Sequence, residues 1–217
     1  MSNPRLLLAS QSPRRRELLT LLGLPFGVTV ADVVEAPQPG EPPYDLVARL
    51  SQDKAHAVAV PPDALVIACD TVVALEGELL GKPRDAAEAT AMLKRLRSRP
   101  HTVYSAITLL ETTAGRALTQ VAETQVVMRA YSDAEITAYV AGGDPMDKAG
   151  AYAIQHAGFH PVAELRGCYA NVMGLPLCHL TRRLRDWEIE PPNDAPTACQ
   201  AHIGRRCATY AAILNDL

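Results

Sequence analysis

No stretch of this chain approaches the ~20 consecutive apolar residues that a membrane-spanning helix requires; residues 64–69 are among its longest apolar runs. No membrane partner is therefore expected. At the start, Arg5 precedes only three leucines before the polar Ser10, Gln11 and Ser12. That is too short for the h-region of a secretory signal, so a cytoplasmic location is expected. Cysteine is sparse: Cys69, Cys168, Cys178, Cys199 and Cys207 are odd in number and scattered. They do not form a disulfide framework and are read as reduced thiols. An excess of basic charge is also missing, because 21 Lys and Arg against 24 Asp and Glu leave a net charge of −3. No field gathers a nucleic-acid polymer, and any anion site must be local.

Several motifs are absent as well. There is no G-x-G-x-x-G, so dinucleotide binding has no support. Gly81-Lys82 is not a P-loop, since residues 76–80 lack the Walker spacing and Pro83 stands where Ser or Thr is needed. The histidines, His56, His101, His156, His160, His179 and His202, show no metalloprotease spacing. Cys199, His202 and Cys207 are one ligand short of a tetrahedral metal set. No internal repeat or low-complexity tract interrupts the chain.

What is present is ordinary globular material: 217 residues, 48% hydrophobic and 21% charged, enough for a packed core and, as a first reading, one folded unit. Leu6, Leu7 and Leu8 in succession give the pattern of a strand buried on both faces. Ser12 and Pro13 then supply an N-cap and the residue best suited to the first helical position, and Leu18, Leu19 and Leu22 make the apolar face of a helix ending near Gly23. A second helix is predicted over residues 44–60, carrying Lys54. Residues 64–69 read as another buried strand, ending at Asp70 and Thr71 before a separate apolar segment, 72–75. Asp85 with Glu88 and Ser132 with Glu135 have capping-box spacing and start two further helices. Between these lies a hairpin, residues 103–110 and 118–128. Short strands and loops follow, and Leu175-Pro176 open a helix that runs to about Asp186.

The alternation of strands and helices around a central hairpin implies an α/β class with a mixed twisted sheet flanked by helices. Residues 1–187 are assigned to the main domain. Residues 188–217, with Pro191, Pro192 and Pro196 amid acidic residues, are read as a linker and a short C-terminal appendage.

The chemistry gathers at charges placed against the grain of the fold. Arg14, Arg15 and Arg16 occupy the first turn of a helix, where the positive end of the macrodipole disfavours them unless an anion binds there. Either they hold a phosphate-bearing ligand, or they splay into solvent and pair with Glu17 and nearby acids. Arg16 is the one assigned to the surface. Asp70 ends an apolar strand, where ligand sites of α/β sheets collect. Its carboxylate needs a metal, a cationic partner or hydrogen bonds to offset desolvation, or it is a turn aspartate. Lys54 and Lys82 supply the positive charge a polyphosphate requires, although each alone is ordinary surface material.

Five segments stand out, the first three holding Arg14, Arg15, Arg16, Asp70 and Lys82: LASQSPRRRELL at 8–19, ACDTVV at 68–73, GKP at 81–83, DKAGAYAIQ at 147–155 and NVMGLP at 171–176. In this order they resemble the Maf family, over residues 5–186. The resemblance implies an inosine-triphosphatase-like α/β fold and a dimeric, divalent-metal-dependent nucleoside triphosphate pyrophosphatase that cleaves between the α- and β-phosphates. It assigns Asp70 as the catalytic proton acceptor, and Arg14, Thr71 and Gln155 to substrate choice. Ser10, Arg15, Glu35, Lys54 and Lys82 are assigned to the phosphate and metal region, with Mg²⁺, Mn²⁺ or a similar ion held by Asp70 and Glu35. The segment 147–152 resembles the subgroup acting on dTTP and UTP, so those substrates, or modified pyrimidine triphosphates, are expected. Arg97-Ser98-Arg99-Pro100 departs from the family's usual Leu-Ser-Gly turn, a change that bears on fine specificity. The alternative expectation is a nucleotide-binding regulator of septum formation that does not turn its ligand over.

Overall fold

Leu6, Leu7 and Leu8 are all buried because β1 (Arg5–Ala9) lies inside a sheet. It pairs in parallel with β2 (Phe26–Thr29) on one side and with β3 (Ala64–Leu75) on the other. The computed structural model describes residues 4–30 and 32–215. Beyond β3 the sheet is antiparallel, through β5 (Pro100–Glu111), β6 (Ala117–Met128) and β7 (Val162–Arg166). The short β4 (Glu78–Leu80) returns along β3. The mixed α/β architecture anticipated from the alternation of elements is therefore the one observed.

Side chains of β3 alternate between two apolar layers. Leu65, Ile67 and Cys69 belong to the main core, whereas Val66 and Ala68 pack on the opposite face with Ala55 of α2 (Pro43–His56). Both faces being covered explains why the strand is apolar at consecutive positions. On the main face lie α1 (Pro13–Thr20), α3 (Ala86–Leu96), α4 (Asp133–Ala141), the short α5 (Tyr169–Met173) and α6 (Leu177–Arg185). Their starts are those the sequence marks. The Ser12 side chain accepts from the Arg15 N–H and Pro13 follows it, Asp85 accepts from the Glu88 N–H at 2.8 Å, and Ser132 with Glu135 forms a complete capping box.

Three features differ from the sequence reading. β3 does not stop at Asp70 and Thr71 but continues to Leu75, because β5 pairs with it without a break from Leu65 to Ala74. On its other side β1 ends opposite Ala68, and β4 pairs with β3 only from Val73 to Leu75. Residues 69–72 therefore have one unpaired edge, and Asp70 sits in the middle of a strand beside a gap. The second difference is β2 and α5, which are too short to generate a periodic signal. The third concerns the proline-rich stretch. Pro196 lies in the first turn of α7 (Ala195–Ile203), capped by Asp194, and Ile189, Ala195 and Cys199 join the main core. α8 (Tyr210–Asn215) follows and packs against α6. No helix among the described residues is long and apolar enough to cross a membrane.

Candidate active site

The unpaired edge of β3 opens into a cavity of about 1230 Å³. Ser10, Arg14, Arg15, Glu35, Lys54, Asp70, Thr71, Lys82 and Gln155, every site residue expected from the sequence, line it. Arg16 is exposed and lies outside the lining.

Asp70 is only 6% exposed. Burying a carboxylate requires a counter-charge, and the Lys54 ammonium, projected from α2, supplies it through Oδ1 of Asp70. The same ammonium lies 2.5 Å from Oε1 of Glu35. One lysine thus serves two carboxylates. Partial burial opposes ionisation of Glu35, but Lys54, aided by Lys82 and Arg15, outweighs it and holds Glu35 below the usual carboxylate range. The loop that carries Glu35 is fastened to α2 by Arg49. Its guanidinium grips Glu41 at 2.6 and 2.8 Å and the Ala36 carbonyl at 3.1 Å. That fork, more than any other contact, lowers the Glu41 carboxyl to about 2.

Arg15 is used differently from a free phosphate ligand. Its Nη1 donates to the exposed-edge carbonyl of Cys69 at 2.6 Å and to the Ser10 hydroxyl at 3.3 Å. Nε donates to the Gly174 carbonyl at 2.9 Å, and Nη2 to the Thr71 hydroxyl at 3.1 Å. The guanidinium ties α1 to the gap in β3 while its charge stays on the cavity wall. Arg14 pairs with an acid, as one of the two readings of the arginine turn held, but the partner is Asp147 at 3.0 Å, far away in sequence.

Behind the wall, the Thr71 hydroxyl lies 2.8 Å from that of Ser105, which donates to the carbonyl of Asn171 at 2.9 Å. Asn171 is fully buried and donates to the Val103 carbonyl and the Thr124 hydroxyl at 3.0 and 2.9 Å. These bonds hold α5 against β5 and β6. They also set Gly174, whose φ of +107° favours glycine and whose missing Cβ would stand 3.4 Å from Arg15 Nε. Composition and charge reading missed Asn171 and Gly174, for which the NVMGLP segment was the available signal; Ser105 lies outside that segment and stands where the Maf resemblance would have threonine. Asn171→Ala should lower the unfolding free energy by about 2–3 kcal/mol, since it strands buried groups at both ends. Urea denaturation measures this, and a midpoint equal to wild type would contradict it.

Asp70 and Glu35, opposed by one ammonium, leave an acidic, all-oxygen donor pair beside a cluster of cations. Among the described residues no three His, Cys, Asp or Glu side chains form a group that could hold a metal ion. The pair nevertheless fits a hard divalent cation, which typically takes one or two carboxylates and completes its shell with water and substrate phosphates. Cys199 and Cys207 instead line a small apolar pocket with Cys168 and Cys178, and His202 approaches Glu17 at 3.7 Å.

Residues 5–187 match the model of a family described as Maf-like protein. A dTTP/UTP pyrophosphatase of Anaeromyxobacter dehalogenans is 50% identical over 195 residues, covering 89% of this chain and 99% of that one. The dTTP/UTP pyrophosphatase of Myxococcus xanthus is 53% identical over 174 residues, 79% of this chain and 87% of the relative. Among solved structures, a HAM1 protein from Coxiella burnetii is a distant likeness, with a TM-score of 0.42 and 17% identity over 59% of this chain and 74% of that one.

Proposed function

Because the chain belongs to the Maf family, we propose that it hydrolyses dTTP and UTP to the monophosphate and pyrophosphate. The observation that carries this reading is the convergence of Arg14, Lys54, Lys82 and the buried Asp70 on one cavity. Relatives about half identical in sequence and named for that reaction support it.

In this reading the triphosphate lies along the gap in β3. Lys82 and Arg14 meet its negative charge, and Arg15 and Ser10 fix the wall against which it rests. Lys54 holds Asp70 through one carboxylate oxygen, and the other orients the attacking water and takes its proton. The cationic side chains then stabilise the charge that grows on the reacting phosphoryl group and the departing pyrophosphate. Asp70 and Glu35 would hold a divalent cation, Mg²⁺, Mn²⁺ or similar, which when bound supplies further charge neutralisation across the phosphates. Gln155, exposed on the rim, offers an amide donor and acceptor to the base edge. A homodimer is part of the proposal and rests on the resemblance alone, and a cytoplasmic location is proposed with it; sedimentation of the purified protein tests the oligomeric half.

The reading is tested by measuring pyrophosphate release from canonical and modified triphosphates, with divalent cation present and then chelated. dTTP, UTP or a modified pyrimidine triphosphate should be the fastest substrate, with release abolished by chelation. Tight nucleotide binding without release would favour the regulator instead and overturn the enzymatic reading.

A further inference from the structure

One hydrogen-bonded array joins two walls of the cavity through a residue outside it. Tyr139, on α4, is 4% exposed and absent from the cavity lining. Its hydroxyl accepts from the Ala153 N–H at 3.0 Å and donates to Oδ2 of Asp144 at 2.6 Å. Burial first, and the Asp144 carboxylate second, push the phenol well above the ordinary tyrosine range, so it keeps the proton it donates. The other oxygen of Asp144 accepts from Lys148 at 3.0 Å, and Lys148 donates to Oδ1 of Asp147 at 2.7 Å. Oδ2 of Asp147 in turn accepts from Arg14 at 3.0 Å. With a further bond to the Asp144 carbonyl at 2.5 Å, all three donors of the Lys148 ammonium are committed. Lys148 is therefore a strut in this arrangement, with no proton left for a ligand.

The array starts two residues before Gln155 and ends on Arg14, and both of these line the cavity. Only the Tyr139 hydroxyl joins the Ala153 backbone to the carboxylates in this array. The ring is held separately, stacked on Phe159 with centroids 4.3 Å apart and set edge-on to His156 at 4.8 Å. Hydroxyl and ring can thus be tested independently.

We propose that the Tyr139 hydroxyl is a positioning group for nucleobase selection, fixing the Ala153–Gln155 segment relative to Arg14 so that the base is read in register with the anchored triphosphate. The role rests on the nucleotide reading above, in which Gln155 meets the base edge and Arg14 meets the triphosphate. Tyr139 touches no reacting atom. Its loss should therefore loosen selection while sparing the chemical step.

The test is Tyr139→Phe in the full chain, with kcat and KM measured for dTTP, UTP and GTP beside wild type. KM for the pyrimidine triphosphates should rise roughly tenfold, kcat should stay within about twofold, and the pyrimidine-to-purine ratio of kcat/KM should fall roughly tenfold. A variant that melts earlier but keeps the wild-type ratio would overturn the proposal and leave the hydroxyl a purely structural role. If Tyr139→Phe does not fold, Asp144→Asn weakens the same array from its next member, and the ratio should fall in the same direction; an unchanged ratio there overturns the proposal equally. Should wild type bind nucleotides without cleaving them, the enzymatic reading fails while the ratio is still read from calorimetric dissociation constants. A wild-type protein that neither binds nor cleaves any triphosphate would end both.

Discussion

Asp70→Asn should fold as wild type and lose roughly 10²–10⁴-fold in kcat for pyrophosphate release, with a much smaller change in KM. The amide keeps the shape of the carboxylate and still accepts a hydrogen bond from Lys54, while Glu35 remains as a charged partner for that lysine. What the variant removes is a group able to take a proton from water. Steady-state kinetics with a matched thermal melt separate the two effects. Near-normal release by a folded Asp70→Asn protein would remove Asp70 from the chemistry.

The second large effect belongs to Lys54. Its side chain is 10% exposed, and its ammonium balances an Asp70 side chain that is 9% exposed, together with the more open Glu35. Lys54→Met keeps the apolar stem and deletes the charge, so a buried carboxylate is left without its cation. Breaking such a pair from one side costs about 3–5 kcal/mol, much of it the penalty on the abandoned partner. Turnover should fall with stability, because Asp70 is no longer held in place. Adding Asp70→Asn to Lys54→Met removes the stranded charge and should restore part of the stability without restoring activity. That opposite movement of two observables distinguishes a charge-pair effect from a general packing defect. Equal stability of Lys54→Met and wild type in urea would contradict the pairing.

The parts of the fold legible in the sequence are those where local chemistry and tertiary placement agree. Three adjacent leucines mark β1 because both of its faces are covered. Ser12-Pro13 and Ser132 with Glu135 mark helix starts because the capping bonds lie within a single turn. β3 was harder to read because Asp70 and Thr71 break its apolar run, although pairing with β5 carries the strand through them. A strand that holds a functional carboxylate in its middle interrupts the pattern by which strands are recognised. The four residues of β2 and the five of α5 were too short for any period to show.

The site divides in the same way. Charge placement alone singled out Arg14, Arg15, Lys54, Asp70 and Lys82, since each is unusual for its position or useful to a phosphate. Ser10, Glu35, Thr71 and Gln155 came only with the Maf resemblance, because no local pattern distinguishes a loop glutamate or glutamine that faces a ligand from one that faces water. Their convergence is a property of the fold: the Arg14–Asp147 pair spans 133 positions of sequence. The resemblance also could not show that Arg15 spends its donors on Cys69, Gly174 and Thr71. That use follows from where β1 stops and β4 begins along β3.

The most direct test of the central claim is to follow dTTP by ³¹P NMR in the presence of wild-type protein and a divalent cation. dTMP and pyrophosphate should appear together in equal amounts as the triphosphate resonances decline. Appearance of dTDP with inorganic phosphate would place the cleavage at the wrong bond, and an unchanged spectrum of bound dTTP would deny that the cavity is catalytic.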